Sequence, residues 1–186
     1  MGCGITKKIG VLLLAMGLLA IQILFRSSVH ADEGSAWKQF QTKSGECRIA
    51  FPEKPTLVQQ SMQLSDGQGR LQYDIYLAPF EDKGVFMLLV ATYPKPLMGG
   101  HEVAGLEGLL KGIVSHHPDN ELIFAKLLQF AQHPALNFLV QSTSSYFRGQ
   151  ALMVGNKLYL VAMEGKKISM DEATFTKFLQ SFQLLD

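Results

Sequence analysis

Cys47, in Ser44-Gly45-Glu46-Cys47-Arg48, is the residue of this chain best suited to act as a nucleophile. A thiol enzyme needs a base to form thiolate and a third group to orient that base. His101, His116, His117 and His133 are all remote in sequence, which neither supports nor excludes a pairing. The local pattern carries more weight. Cys47 shares its side of an alternating segment with Ile49 and Phe51, where cysteine behaves as a small hydrophobe. It is therefore expected in the core.

His116-His117-Pro118-Asp119-Asn120-Glu121 is the densest set of metal-ligating residues. Neighbouring histidines on a helix diverge by roughly 100°, so both cannot face one ion while the helix persists. Histidine at a helix C-terminus also complements the negative end of the dipole, and that role is expected here. Asp66-Gly67-Gln68-Gly69 joins two alternating segments instead of opening a helix, so it reads as a hairpin turn and not as a phosphate cradle. Glu81-Asp82 and Asp171-Glu172 fall at a loop and a helix start, where solvated charge is expected. The chain contains no G-x-S-x-G, H-E-x-x-H, Walker loop or C-x-x-C. No catalytic, cofactor-binding or metal-binding residue is assigned.

Two segments suit binding. Lys95-Pro96-Leu97-Met98-Gly99-Gly100-His101 is a loop mixing apolar, basic and glycine residues, with Lys95, Leu97, Met98 and His101 as candidate contacts. Tyr146-Phe147-Arg148 carries the aromatic and arginine side chains enriched at protein interfaces, with Tyr146 and Arg148 as candidates.

The elements that position these groups follow from periodicity. Cys47, Ile49 and Phe51 alternate with Arg48 and Ala50 as in a strand, which Pro52 and Pro55 end. Residues 56 to 64 read as a second strand. Leu71, Tyr73, Ile75 and Leu77 alternate beyond the glycine turn, and Val85 to Tyr93 is apolar enough for a central strand covered on both faces. Val103, Leu106, Leu110, Ile113 and Val114 predict a helix from about Glu102 to His116. Leu122 to Phe130 and Leu136 to Thr143 read as strands around His133-Pro134. Tyr146 to Val154 and Lys157 to Met163 flank Gly155-Asn156, which suits a type II′ hairpin turn. Ser169-x-x-Glu172 has capping-box spacing ahead of the helical stripe Phe175, Phe178, Leu179 and Phe182. The fold class expected is a single α/β domain of α+β type, an antiparallel sheet with helices against it.

The first 31 residues read as an export signal: Lys7 and Lys8, an apolar run from Val11 to Phe25, and Val29-His30-Ala31 as a small-x-small cleavage site. Cleavage would leave residues 32–186 as one domain. The alternatives are an uncleaved anchor and lipidation of Met1-Gly2-Cys3-Gly4-Ile5-Thr6. The whole chain has a formal charge of +1, and loss of Lys7, Lys8 and Arg26 takes this to −2. Such scattered, near-neutral charge gives no footprint for nucleic acid or for an anionic membrane.

Trp37-Lys38-Gln39-Phe40, Gly45 and Ile49-Ala50-Phe51-Pro52-x-x-Pro55 resemble the start of PsbP-like domains. Tyr146-Phe147-Arg148-Gly149, Val154-Gly155-Asn156-Lys157-Leu158-Tyr159 and Phe178-Leu179-x-Ser181-Phe182 resemble their late hairpin and terminal helix. The resemblance covers both ends of residues 32–186 better than the middle. It implies an antiparallel sheet sandwiched by helices, as in the extrinsic subunits of the oxygen-evolving complex and the envelope protein DcrB. It also implies no catalytic activity, and it transfers no binding residue, because the matching positions are structural. The expected role is that of an exported, non-enzymatic accessory protein, periplasmic or secreted, that binds another envelope protein or complex. It would meet the membrane only through an uncleaved N-terminal segment. The alternative is a periplasmic carrier of a small ligand or metal, with its cavity near His116, His117 or Cys47.

Overall fold

The computed structural model describes residues 37–64, 69–81, 83–94 and 101–185. The leader read at 1–31, the turn residues Asp66 to Gln68, Asp82, and the loop candidates Lys95, Leu97 and Met98 lie outside the described residues.

Two meanders make the main sheet. The first runs through β3 (Thr56–Gln63), β4 (Arg70–Phe80) and β5 (Gly84–Thr92). The second runs through β6 (Glu121–Phe130), β7 (His133–Gln141), β8 (Ser145–Val154) and β9 (Lys157–Lys166). Helix α1 (Glu102–Ser115) links them, so β9 returns to pair with β5 in the order β3-β4-β5-β9-β8-β7-β6. Every neighbouring pair is antiparallel. A smaller sheet of order β1-β2-β10 is built from β1 (Lys38–Gln41), β2 (Cys47–Phe51) and β10 (Gln183–Leu184). Helix α2 (Glu172–Gln180) precedes β10.

Because side chains alternate across a strand, each strand of the main sheet feeds two cores. Leu71, Tyr73, Ile75, Val85, Met87, Leu89, Leu158 and Leu160 pack with Leu106, Leu109 and Ile113 of α1. On the opposite face Tyr76, Phe86, Leu88, Tyr159, Val161 and Met163 pack with Cys47, Ile49 and Phe51 of β2 and Phe175 and Phe178 of α2. The Phe178 ring lies 4.7 Å from Phe86, 5.3 Å from Phe51 and 6.0 Å from Trp37. These are tilted and edge contacts, the arrangements that ring quadrupoles favour. The molecule is thus an α+β sandwich, as the periodicities and the resemblance imply.

Four details differ from the sequence reading. The second face is covered by the small sheet together with α2, not by helices alone, because Arg48 and Cys47 of β2 also pair with Gln183 and Leu184. On α1, Val103 points outward at 41% exposed, and the buried line runs through Leu106, Leu109 and Ile113. The cap of α2 is Asp171 and not Ser169, which belongs to a 3-10 turn. A carboxylate at that position takes charge-assisted bonds that a hydroxyl cannot match: Asp171 Oδ1 accepts from the N–H groups of Ala173 and Thr174 at 3.0 and 3.2 Å. The fourth concerns the β6–β7 turn, which falls on Ala131-Gln132, leaving His133 and Pro134 inside β7.

The Gly155-Asn156 turn joins β8 and β9, and Gly155 takes the positive φ of +59° expected of a leading glycine. Ala131 and Gln132 hold φ of 48° and 68° without being glycine. The two-residue turn imposes this, since mirror-image turns match the twist of the strands they join. Left-handed backbone costs an L-residue roughly 1 kcal/mol. The double substitution A131N/Q132G is expected to raise unfolding stability by about 1 kcal/mol, read from the urea midpoint at unchanged m-value.

Candidate functional site

The groups that the sequence marks for chemistry are dispersed. Cys47 is 0% exposed, and its Sγ lies 3.7 Å from Thr42 Oγ1. Burial pushes its thiol up to about 11, which holds it neutral and inert. His116 ends α1, and His117 Nδ1 accepts the Asp119 N–H at 3.3 Å. Among the described residues no three His, Cys, Asp or Glu side chains are grouped to hold a metal. Glu81 pairs with Lys83 at 2.7 Å in the β4–β5 turn. His101 is exposed at the start of α1 without a side-chain cap bond.

Tyr146 and Arg148 do not form the open surface expected of partner-binding residues. Tyr146 is 1% exposed, and Arg148 is 7% exposed. The reason is their phase: both belong to the side of β8 that faces α2, where Arg148 registers with Leu139 and Met163. Two of the guanidinium nitrogens, Nε and Nη1, find acceptors in neighbouring elements. Nε donates to Glu172 at 2.9 Å, and Nη1 donates to the Phe138 carbonyl at 3.0 Å and to Asn137 Oδ1. The Phe124 and Phe175 rings lie 4.9 and 4.4 Å from it. Arg148 therefore ties β6, β7 and β8 to α2. Glu172, expected to be solvated, is its ion-pair partner and remains half exposed.

That anchoring steadies β6, which ends the main sheet. Leu122, Ile123, Phe124 and Leu127 are 41, 46, 37 and 50% exposed. Leu122 and Leu127 register with Val140 and Leu136 on the α1 side, whereas Phe124 registers with Leu139 on the α2 side. A bulge between Leu122 and Phe124 places Ile123 outside the regular ladder. The opposite edge, β3, reads TLVQQSMQ and exposes Thr56, Gln59, Ser61 and Gln63. One edge is blunted by polar side chains, and the other is apolar apart from Glu121, Lys126 and Gln129.

A separate cavity of about 790 Å³ opens where the β4–β5 turn, residues 143–145 and the end of β9 meet. Among its lining residues are Gly84 and Gly165, which face each other across β5 and β9. A side chain there has no space: a Cβ on Gly84 would lie 2.1 Å from the Glu164 carbonyl oxygen. Glu164 lines the cavity, and its Oε2 is buried without a hydrogen-bond partner. Burial pushes the carboxyl up to about 7. Lys83, Lys166 and Lys167 line the same cavity. The signal for Glu164 was present in the sequence, because it continues the in-phase series Leu158, Leu160, Ala162 on a covered face.

Two outcomes follow. Arg148→Ala is expected to cost about 2–4 kcal/mol, since it leaves a hole between two rings and strips partners from Asn137 and Phe138, whereas Glu172→Ala leaves the buried guanidinium without its counter-ion but with its bonds to Asn137 and Phe138, and costs about 1–3 kcal/mol. Urea denaturation of the two variants measures both. For Glu164, the folded state binds its proton more tightly than the unfolded chain, whose pKa is near 4.5. Folded protein therefore carries the extra proton between these values, and stability falls as pH rises from about 4.5 through 7, by about 3 kcal/mol in all. Glu164→Gln is expected to remove this component from the stability-against-pH curve.

No protein-family model matches the chain, and no curated protein matches it in sequence. Among solved structures it is similar to cyanobacterial PsbP (CyanoP) from Synechocystis sp. PCC 6803, with a TM-score of 0.57 at 12% identity over 86% of this chain and 98% of that one. It also matches a structure from Bacteroides thetaiotaomicron VPI-5482 (TM-score 0.44, 12% identity, 81% of this chain and 49% of that one). A protein of unknown function from Pseudomonas aeruginosa matches at TM-score 0.44 and 9% identity, over 81% of this chain and 96% of that one. The likeness to CyanoP, spanning almost all of that protein, gives this chain a PsbP-like α+β fold.

Proposed function

We propose that this chain is an exported, non-catalytic accessory protein that binds another protein of the cell envelope through the outer edge of β6, beside which no strand lies among the described residues. The observation that carries the reading is the apolar edge itself: Leu122, Ile123, Phe124 and Leu127 stand exposed on the last strand of a well-packed sheet. Edge strands of this kind are an aggregation hazard unless something covers them. The polar β3 edge makes the contrast within one molecule.

The mode that fits is strand addition, in which an extended segment of the partner continues the sheet beside β6. Backbone hydrogen bonds would supply affinity, and Leu127 and Phe124, on opposite faces, would grip alternate side chains of the incoming strand. Lys126 favours an acidic residue opposite. Export rests on the basic start, apolar run and small-x-small site of residues 1–31. The absence of catalytic role is supported by the inert setting of Cys47 and by the lack of enzyme motifs in the sequence.

Crosslinking and pull-down from envelope extract tests this. The wild-type chain is expected to recover one stoichiometric partner, and the double variant I123K/L127K, checked for unchanged circular dichroism, is expected to lose it. Recovery of no stoichiometric partner, a partner retained by the variant, or a self-associated chain as the sole product would overturn the reading.

A further inference from the structure

Buried carboxyls in folded proteins are paired or hydrogen-bonded, because desolvating one without a partner is costly. Glu164 departs from this. Its Oε2 is buried with no partner, and no described cation forms an ion pair with it. Lys83, which lines the same cavity, is held instead by Glu81 at 2.7 Å. Nothing in the packing requires an acid here, since the preceding in-phase residues of β9 are Leu158, Leu160 and Ala162.

The cavity supplies the context for that acid. Its volume of about 790 Å³ lies within the range of small-molecule sites, roughly 300–1,000 Å³. The facing glycines Gly84 and Gly165 let the backbones of β5 and β9 approach closely at its edge, and Val85 and Ile168 add apolar wall. Ile168 is 94% exposed, so its side chain is free to lie against an occupant of the cavity. Elsewhere on the cavity wall, Lys166 and Lys167 provide positive charge with no acidic partner among the described residues. Lys166 stands two residues along the strand from Glu164 and so projects from the same face, about 7 Å away at the backbone.

The charges select among ligands. A plain cation would satisfy Glu164 and be repelled by the lysines. A plain anion would satisfy the lysines and leave the carboxyl without a donor. A molecule that carries an ammonium at one end and a carboxylate at the other answers both, and an extended tripeptide spans roughly 10 Å between its ends. We infer that this cavity binds short peptides by their free termini, with Glu164 receiving the N-terminal ammonium, Lys166 and Lys167 receiving the C-terminal carboxylate, and Val85 and Ile168 contacting the side chains. This site lies apart from the β6 edge and does not depend on it.

Titration calorimetry on the full-length chain tests the inference with trialanine and trileucine, their N-acetylated forms and their C-terminal amides. Saturable binding of at least one free tripeptide is expected. N-acetylation is expected to weaken it at least tenfold in the wild type, and to make little difference in Glu164→Gln. Amidation is expected to weaken wild-type binding by a similar factor and to matter little in K166A/K167A. Circular dichroism confirms that each variant is folded. The inference is overturned if neither tripeptide binds saturably, if the acetylated forms bind as well as the free ones, or if Glu164→Gln still discriminates between them. Binding of acetylated and free forms alike, lost in K166A/K167A, would mark a simple anion site instead.

Discussion

The structure depends on the burial of β5 and β9 on both faces. Phe86, Leu88, Val161 and Met163 point one way, and Val85, Met87, Leu160 and Ala162 point the other. Each large apolar side chain removed from water contributes about 1.5–3 kcal/mol, so neither face can be left open. Helix α1 covers the first face. The small sheet and α2 cover the second, with the ring cluster of Phe178, Phe86, Phe51 and Trp37 at its centre. The crossover through α1 follows from the same need, because the helix must span the sheet before the second meander can bring β9 beside β5.

Within this apolar frame two ionisable groups meet opposite conditions. Arg148 is enclosed by two rings, a carboxylate, an amide oxygen and a backbone carbonyl, each drawn from a different neighbour. Its charge is spent on holding α2 and β6 in place, which explains why a residue of interface type has no surface to offer. Glu164 sits near the same end of the sheet on the opposite face, beside a cavity and without a partner. A satisfied buried charge points to architecture. An unsatisfied one beside open space points to a ligand.

The two sheet edges form a second contrast. Gln59 of β3 bonds Asp74 of the neighbouring strand at 2.9 Å, so that edge spends its polar groups locally and faces water. Along β6, the packing of Phe124 on Arg148 keeps one aromatic at the rim while Leu122, Ile123 and Leu127 extend outward.

Local order was legible in the residues. The alternation of Cys47, Ile49 and Phe51, the run from Val85, the hairpin glycine at 155 and the helical stripe to Phe182 each fix an element through a geometry that repeats over two to four residues. Their pieces also carried the resemblance to PsbP-like domains. What the sequence could not hold was the identity of neighbours distant along the chain. Nothing near Arg148 announces Glu172 or Phe124, and nothing in the apolar segment from Leu122 to Leu128 says that it ends the sheet instead of filling its middle. The alternation that places Glu164 on a covered face is readable, but its lack of a partner is not. Those facts arise only when strand order and the two covers bring remote residues together, because burial and pairing are properties of the assembled sheet and not of any segment in it.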